Sequence, residues 1–313
     1  MSEDATPTPV IIDTDPGIDD AMAILAALAD PALEVLGLTT VFGNVSEPRA
    51  TRNALQLLDL SESPLPVAAG AARPRRRTPA PHADFVHGVE GFGDVELPAP
   101  CRAPDPRPAA TYLAEEARAA RVGGRPITIV ALGPLTNLAE ALTATPGIAA
   151  DVARVVVMGG AVRHPGNVNA HAEANFWHDP DAAAIVLGGS WPVTLIGLDV
   201  TECARVYPDD LAALPKGRCT AFIAKAAAHY AGFHLETRGF RGCYLHDPTA
   251  TAAAADPAVV ETRTLSLAVT RDGDAEGAVG EAAAGSAVDV AIATDAPSIR
   301  RHLLASLANG RLP

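Results

Sequence analysis

Apolar positions follow two alternating rhythms along the chain. Short β-rich runs read as buried strands, and longer stretches at three- and four-residue spacing read as helices. Val10 to Ile12 is the first strand, and Pro16-Gly17 ends it. Asp19 to Ala29 is the first helix. Leu33 to Val41 is a strand ending at Phe42-Gly43-Asn44, Pro48 to Leu60 a helix, and Val67 to Ala69 a short strand. Strands at Ile127–Ala131, Val155–Met158 and Val193–Leu198 alternate with helices near Thr111–Arg121, Leu135–Leu142 and Asp181–Leu187. Thr220 to Glu236 is a long helix, and His246-Asp247-Pro248 opens another. The tail adds strands at Thr264–Val269 and Val288–Thr294, then a helix from Asp295. This alternation predicts an α/β fold with a mostly parallel central sheet, a Rossmann-like open sheet flanked by helices. No repeat or linker divides the chain, so residues 1–313 read as one domain.

Two long segments lack any period. Gly70–Pro108 is rich in Pro, Gly and Arg and holds His82, His87 and a glycine cluster, Gly88 to Gly93. Gly159–Asp179 is polar. Loops of such length in a compact domain are usually functional or mobile. The glycine cluster is no dinucleotide fingerprint, because no strand-to-helix context surrounds it.

Charge narrows the partners. The formal net charge of −13 argues against nucleic acid and against an anionic membrane surface. No apolar run is long enough to cross a bilayer. Met1-Ser2-Glu3-Asp4 is acidic and unlike a signal peptide, which predicts a cytoplasmic protein. Cys101, Cys203, Cys219 and Cys243 are scattered, so neither a zinc nor a redox motif is expected.

The chemistry concentrates at strand ends. Asp13, Asp15, Asp19 and Asp20 crowd the junction of the first strand and first helix. In open α/β sheets ligands sit at the carboxyl ends of strands. Helix capping by Asp19, with Asp20 near the positive helix end, accounts for two of the four. Two like charges about 4 Å apart repel by roughly 4 kcal/mol at an effective dielectric near 20. The cluster therefore calls for a cation or for protons. After Met158 come Asn167, Asn169, His171, Glu173 and Asn175; neutral amides beside a carboxylate suit a polyhydroxylated ligand such as a sugar. Asp247 reads as a helix N-cap with Pro248 at the first helical position, which leaves a metal role open.

These motifs resemble the inosine-uridine-preferring nucleoside hydrolases. Asp13-x-Asp15-Pro16-Gly17-x-Asp19-Asp20-Ala21 resembles the family's amino-terminal signature, and Thr39 to Asn44 its second strand end. Leu132-Gly133-Pro134-Leu135-Thr136-Asn137 resembles its central motif. Met158 to Ala161, Gly166-Asn167-Val168, Ala172 to Asn175 and Asp179-Pro180 resemble its sugar loop, and His246-Asp247-Pro248 its last element. The matches run in order from Val10 to Ala250.

The resemblance implies hydrolysis of the N-glycosidic bond of ribonucleosides. It implies that Asp15, Asp20, Asp247 and the Leu132 carbonyl bind Ca²⁺, with Asp13 supporting them. Hard oxygen donors of mixed charge suit Ca²⁺ better than a compact Mg²⁺ octahedron. It implies that Asp15 is the general base, and that Asp19, Asn44, Asn167, Glu173 and Asn175 hold the ribose over Met158. His246 would face the leaving base and, titrating near neutrality, protonate it. Some pyrimidine-preferring members place a Tyr shortly before the final His-Asp; this chain has Arg238-Gly239-Phe240 there, with His234 upstream. His234 and Arg238 are therefore carried as base contacts, and no base preference is imported. The family's members are commonly homodimers or homotetramers, which is the expected state here. The competing readings are a haloacid dehalogenase-type phosphatase, suggested by Asp13-x-Asp15, and a nucleoside- and metal-binding module without turnover.

Overall fold

The computed structural model describes residues 6–313. The acidic start Met1-Ser2-Glu3-Asp4 lies outside them. The strands are β1 (Thr8–Thr14), β2 (Leu33–Thr40), β3 (Val67–Ala69), β4 (Thr128–Ala131), β5 (Arg154–Met158) and β6 (Val193–Ile196). They continue with β7 (Arg205–Val206), β8 (Cys243–Tyr244), β9 (Val260–Val269), β10 (Val279–Glu281) and β11 (Ser286–Thr294). Among the described residues nine strands form one sheet, ordered β10-β9-β11-β6-β5-β4-β1-β2-β3. From β3 through β6 to β11 every pairing is parallel, and β9 alone runs against the others, pairing antiparallel with β11 and with β10. β7 and β8 pair separately.

Both faces of the sheet are covered. Val10 and Ile12 pack into one core with Met22 and Ile24, while Ile11 packs into the other with Ile129, Val155 and Leu195. Alternate residues of a strand point to opposite faces, so a strand buried on both sides reads as an unbroken apolar run. No helix among the described residues is long and apolar enough to cross a membrane.

The strand order reverses beside β1. The chain steps from β1 to β2 and β3 in one direction, then crosses to β4, β5 and β6 in the other. Helices leaving on opposite faces open a crevice at that point, beyond the carboxyl ends of β1 and β4. Asp13 and Asp15 stand at the end of β1, and Leu132 just beyond β4.

Several expectations need correction. The first helix, Ile18–Ala29, begins earlier than expected and its cap is Gly17, so Asp19 and Asp20 lie inside its first turn. The helix His246–Ala255 is likewise capped at Leu245, which places Asp247 within it rather than at its cap. The unperiodic loops hide short helices at Asp84–His87 and Ala174–His178, too brief to show a period. The strand expected to reach Leu198 stops at Ile196, and Leu198–Thr201 is one helical turn. The edge strand β10 was not foreseen.

The end of the first helix is tied to the terminal helix, Ala296–Ala308. Asp30 accepts from the Ala32 N–H at 2.8 Å and pairs with His302 Nε2 at 2.7 Å. Burial raises the Asp30 pKa, but the bonds from His302 and Ala32 outweigh it and hold it below the ordinary value. A lowered folded-state pKa stabilises above the unfolded pKa and is lost as pH falls through the folded one. Asp30→Asn is therefore expected to cost about 2 kcal/mol at neutral pH. Urea unfolding should show that difference shrinking toward pH 3; a constant difference would refute the ion pair as its source.

Candidate active site

The strand ends open into a cavity of about 370 Å³, within the size range of small-molecule sites. Its wall contains Asp19, Asn44, Leu132, Met158, Asn167, Glu173, Asn175, His234, Arg238, His246 and Asp247, so the structure gathers these residues from distant parts of the chain. Asp13, Asp15 and Asp20 lie behind the wall and are fully or almost fully buried.

Each carboxylate behind and in that wall has a defined setting. Asp20 accepts from the Thr14 hydroxyl at 2.5 Å, the Gly17 N–H at 3.0 Å and Asn44 Nδ2 at 3.1 Å. Asp15 Oδ2 accepts the Asn44 N–H at 2.6 Å. Asp13 Oδ1 accepts from Thr39 at 2.5 Å and Asn137 Nδ2 at 2.7 Å. Asp15 Oδ1, Asp19 Oδ1 and Asp13 Oδ2 are buried without any partner. A buried polar atom left unpaired is costly, so orphaned anionic oxygens at one place mark a cation or ligand site. Asp19, Asp20 and Asp247 bring ligand oxygens within 4.8 Å of one another. Asp15 stands outside that trio, turned toward the Asn44 backbone.

Protonation follows from burial and crowding. Burial, then Asp20, pushes Asp19 up to about 8. Burial raises Asp13 to about 7, against the bonds from Thr39 and Asn137. Burial and repulsion from Asp20 and Asp19 push both Asp15 and Asp247 well above the carboxylate range.

The sequence pattern of the inosine-uridine preferring nucleoside hydrolases matches residues 10–301. The chain belongs to this family. Uridine nucleosidase 1 of Arabidopsis thaliana is 45% identical over 251 residues, 79% of this chain and 74% of its own. A plant nucleoside hydrolase structure superposes with a TM-score of 0.90 at 36% identity, covering 97% of this chain and 99% of its own. A purine-preferring ribonucleoside hydrolase from Gardnerella vaginalis gives a TM-score of 0.90 at 31% identity, covering 96% and 98%. The chain is thus an enzyme, an N-glycosyl hydrolase of ribonucleosides, and the phosphatase reading of Asp13-x-Asp15 falls.

In this nucleoside hydrolase some expected site residues carry a second duty. Glu173 caps the helix Ala174–His178, accepting the Asn175 N–H at 2.9 Å and the Phe176 N–H at 3.2 Å, and it also accepts the Gly160 N–H at 2.8 Å. Asn175 Nδ2 donates to the Leu132 carbonyl at 2.6 Å. Asn167 Oδ1 accepts the Ala174 N–H at 2.9 Å. Asn169 and His171 do not line the cavity; Asn169 Oδ1 closes a turn on the His171 and Ala172 N–H groups.

His246 differs from expectation in its charge. Its Nδ1 is 2.8 Å from the Thr201 hydroxyl, and burial pushes its pKa down to about 3. The ring is neutral at physiological pH, not poised near neutrality. Residues that the sequence reading left out also line the cavity: His87, His178, Glu202, Tyr230, Phe233 and Tyr244 among them. His87 Nδ1 accepts the Ile18 N–H at 3.2 Å and lies 3.9 Å from Asp19. Its signal was a histidine at the edge of the glycine cluster, whose backbone turns left-handed at Gly88, Gly91 and Gly93.

Proposed function

We propose that this nucleoside hydrolase uses Ca²⁺, held by Asp15, Asp20, Asp247 and the Leu132 carbonyl, and that Asp15 is its general base. The observation that carries this reading is the set of buried carboxylates with unpaired oxygens at the sheet's switch point. Oxygen donors alone, several of them anionic, suit a hard divalent ion that also tolerates sugar hydroxyls. Such an ion supplies acidity for water at the site.

The chain's own residues do the rest. Asp15 accepts a proton from the attacking water. Asp19, Asn44, Asn167, Glu173 and Asn175 bind and orient the ribose above Met158. Their carboxylates favour the positive charge that grows on the sugar ring as the base leaves. His246, neutral and fixed by Thr201, offers the base a hydrogen bond.

Uridine, named for the Arabidopsis relative, heads the panel of purine and pyrimidine ribonucleosides that tests the reaction. Reducing sugar is expected to appear equally with and without phosphate. A requirement for phosphate would make the enzyme a phosphorylase instead.

The placement of Asp15 gives a further expectation. A Cβ on Gly133 would stand 2.5 Å from Asp15 Oδ1 and 2.8 Å from Val41 Cγ1. Gly133→Ala must therefore displace the carboxylate. Misplacing a reacting group by about 1 Å can cost about 10²-fold, and kcat should fall on that scale with little change in KM. Unchanged kcat would remove Asp15 from the base's role.

A further inference from the structure

The helix His246–Ala255 begins at the cavity wall with His246 and Asp247, and Ala254 lies about 10 Å further along its axis. Its far end lacks donors. The Ala253 carbonyl would ordinarily accept the N–H of residue 257, but Pro257 has none. The Ala254 carbonyl would accept from Ala258, whose N–H is taken by Asp256 Oδ1 at 3.0 Å. No basic residue stands in the last turn of the helix. Arg154, the first residue of β5, supplies what is missing. Its Nη2 donates to the Ala254 carbonyl at 2.8 Å and faces the Ala253 carbonyl at 3.3 Å.

Arg154 is half-buried, and among the described residues no carboxylate pairs with it. Burial pushes its pKa below the ordinary value, yet a guanidinium stays charged in a protein. Its charge faces the negative end of the helix dipole, where a cation is favoured. The rest of the helix gives little hold on its own placement. Thr249 to Ala255 holds only alanines and two threonines, and side chains so small form shallow ridges for neighbours to lock. The hydroxyls of Thr249 and Thr251 turn back onto carbonyls of the helix and its cap. At the site end the Leu245 N–H donates to the Ala204 carbonyl at 3.0 Å, and His246 meets the Thr201 hydroxyl. A helix held at that end alone can still swing about it.

Asp247 depends on that helix for its place. Among the described residues no N–H bonds to its carboxylate, whose neighbours are the acids Asp20, Asp19 and Asp15. β5 pairs with β4, and the Leu132 carbonyl stands just beyond β4. We propose that Arg154 is a positioning residue of the metal site: by fastening the far end of the helix to β5, it fixes where Asp247 stands against Asp20 and the Leu132 carbonyl. This rests on the reading of Asp247 as a metal ligand given above.

The test reads Ca²⁺ affinity by calorimetry beside thermal stability by circular dichroism. Arg154→Met is expected to bind Ca²⁺ about 10-fold more weakly, the lower end for losing a group that supports a metal ligand. Its kcat at saturating Ca²⁺ should stay near the wild-type value. Arg154→Lys keeps the charge without the fork and should weaken binding less. Where Arg154→Met does not fold, the lysine variant decides, and unchanged affinity there counts against the inference. Val186→Ala truncates a buried side chain in the core on the other face of the sheet. It should lower Tm and leave Ca²⁺ affinity unchanged. A lowered Tm with unchanged affinity in Arg154→Met makes Arg154 a helix cap and nothing more, which overturns the inference. An equal loss of affinity in Val186→Ala overturns it too. Wild-type protein that binds no Ca²⁺ overturns the metal reading itself.

Discussion

Metal-stripped protein is expected to release no ribose from uridine, and added Ca²⁺ to restore turnover. The reason lies in the electrostatics of the strand-end cluster. Burial raises Asp15, Asp19, Asp20 and Asp247, and repulsion from Asp20 adds to the rise at the other three. Without a cation the cluster holds protons, and a protonated Asp15 cannot accept one from water. A divalent ion reverses that order, because each carboxylate then gains by ionising. Protons and metal compete for the same oxygens, so affinity must depend on pH. Asp15 and Asp247, two of the proposed ligands, are held well above the carboxylate range by burial and by their acidic neighbours, so apparent Ca²⁺ affinity should rise as pH climbs. Asp20→Ala should weaken binding, seen directly by calorimetry. Full activity in protein shown by elemental analysis to hold no divalent metal would defeat the assignment.

The fold was legible because its signals are local. Val10–Ile12, Ile127–Ala131 and Val155–Met158 are apolar runs of strand length, and a run buried on both faces looks the same in sequence as in space. The motif positions also survived translation into geometry, since Asn44, Leu132, Asn175 and Asp247 converge on one cavity. What the sequence concealed is how each group is committed. Glu173 reads as a sugar ligand, yet both its oxygens accept backbone N–H groups at a helix start. His246 reads as an acid near neutrality, yet burial leaves it uncharged. Glu202 and Arg238 are 36 positions apart, and no local pattern announces that they meet at the cavity wall. Pairings between distant side chains and degrees of burial are properties of the closed fold, which periodicity does not encode.

The same commitments bear on the sugar, where 2′-deoxyuridine is expected to be a far poorer substrate than uridine. Asp19 is 6% exposed and its Oδ1 has no partner in the protein. Asn167 has its oxygen engaged by the Ala174 N–H, which leaves its amide N–H groups to donate. Asn175 is the reverse case, with its Nδ2 engaged by the Leu132 carbonyl and its oxygen left to accept. A hydroxyl both donates and accepts, so it can satisfy an unpaired carboxylate oxygen and an unpaired amide together. Remove the hydroxyl and the buried groups of Asp19 and Asn175 are left unpaired. Sites built this way reject the analogue lacking the hydroxyl by about 10⁴-fold in kcat/KM. Because the ribose contacts strengthen as charge develops on the ring, part of the loss should fall in kcat and not only in KM. Asp19→Ala should slow uridine much more than 2′-deoxyuridine and so compress the ratio between them. Equal kcat/KM for the two nucleosides with wild-type enzyme would show that these side chains do not hold the ribose hydroxyls.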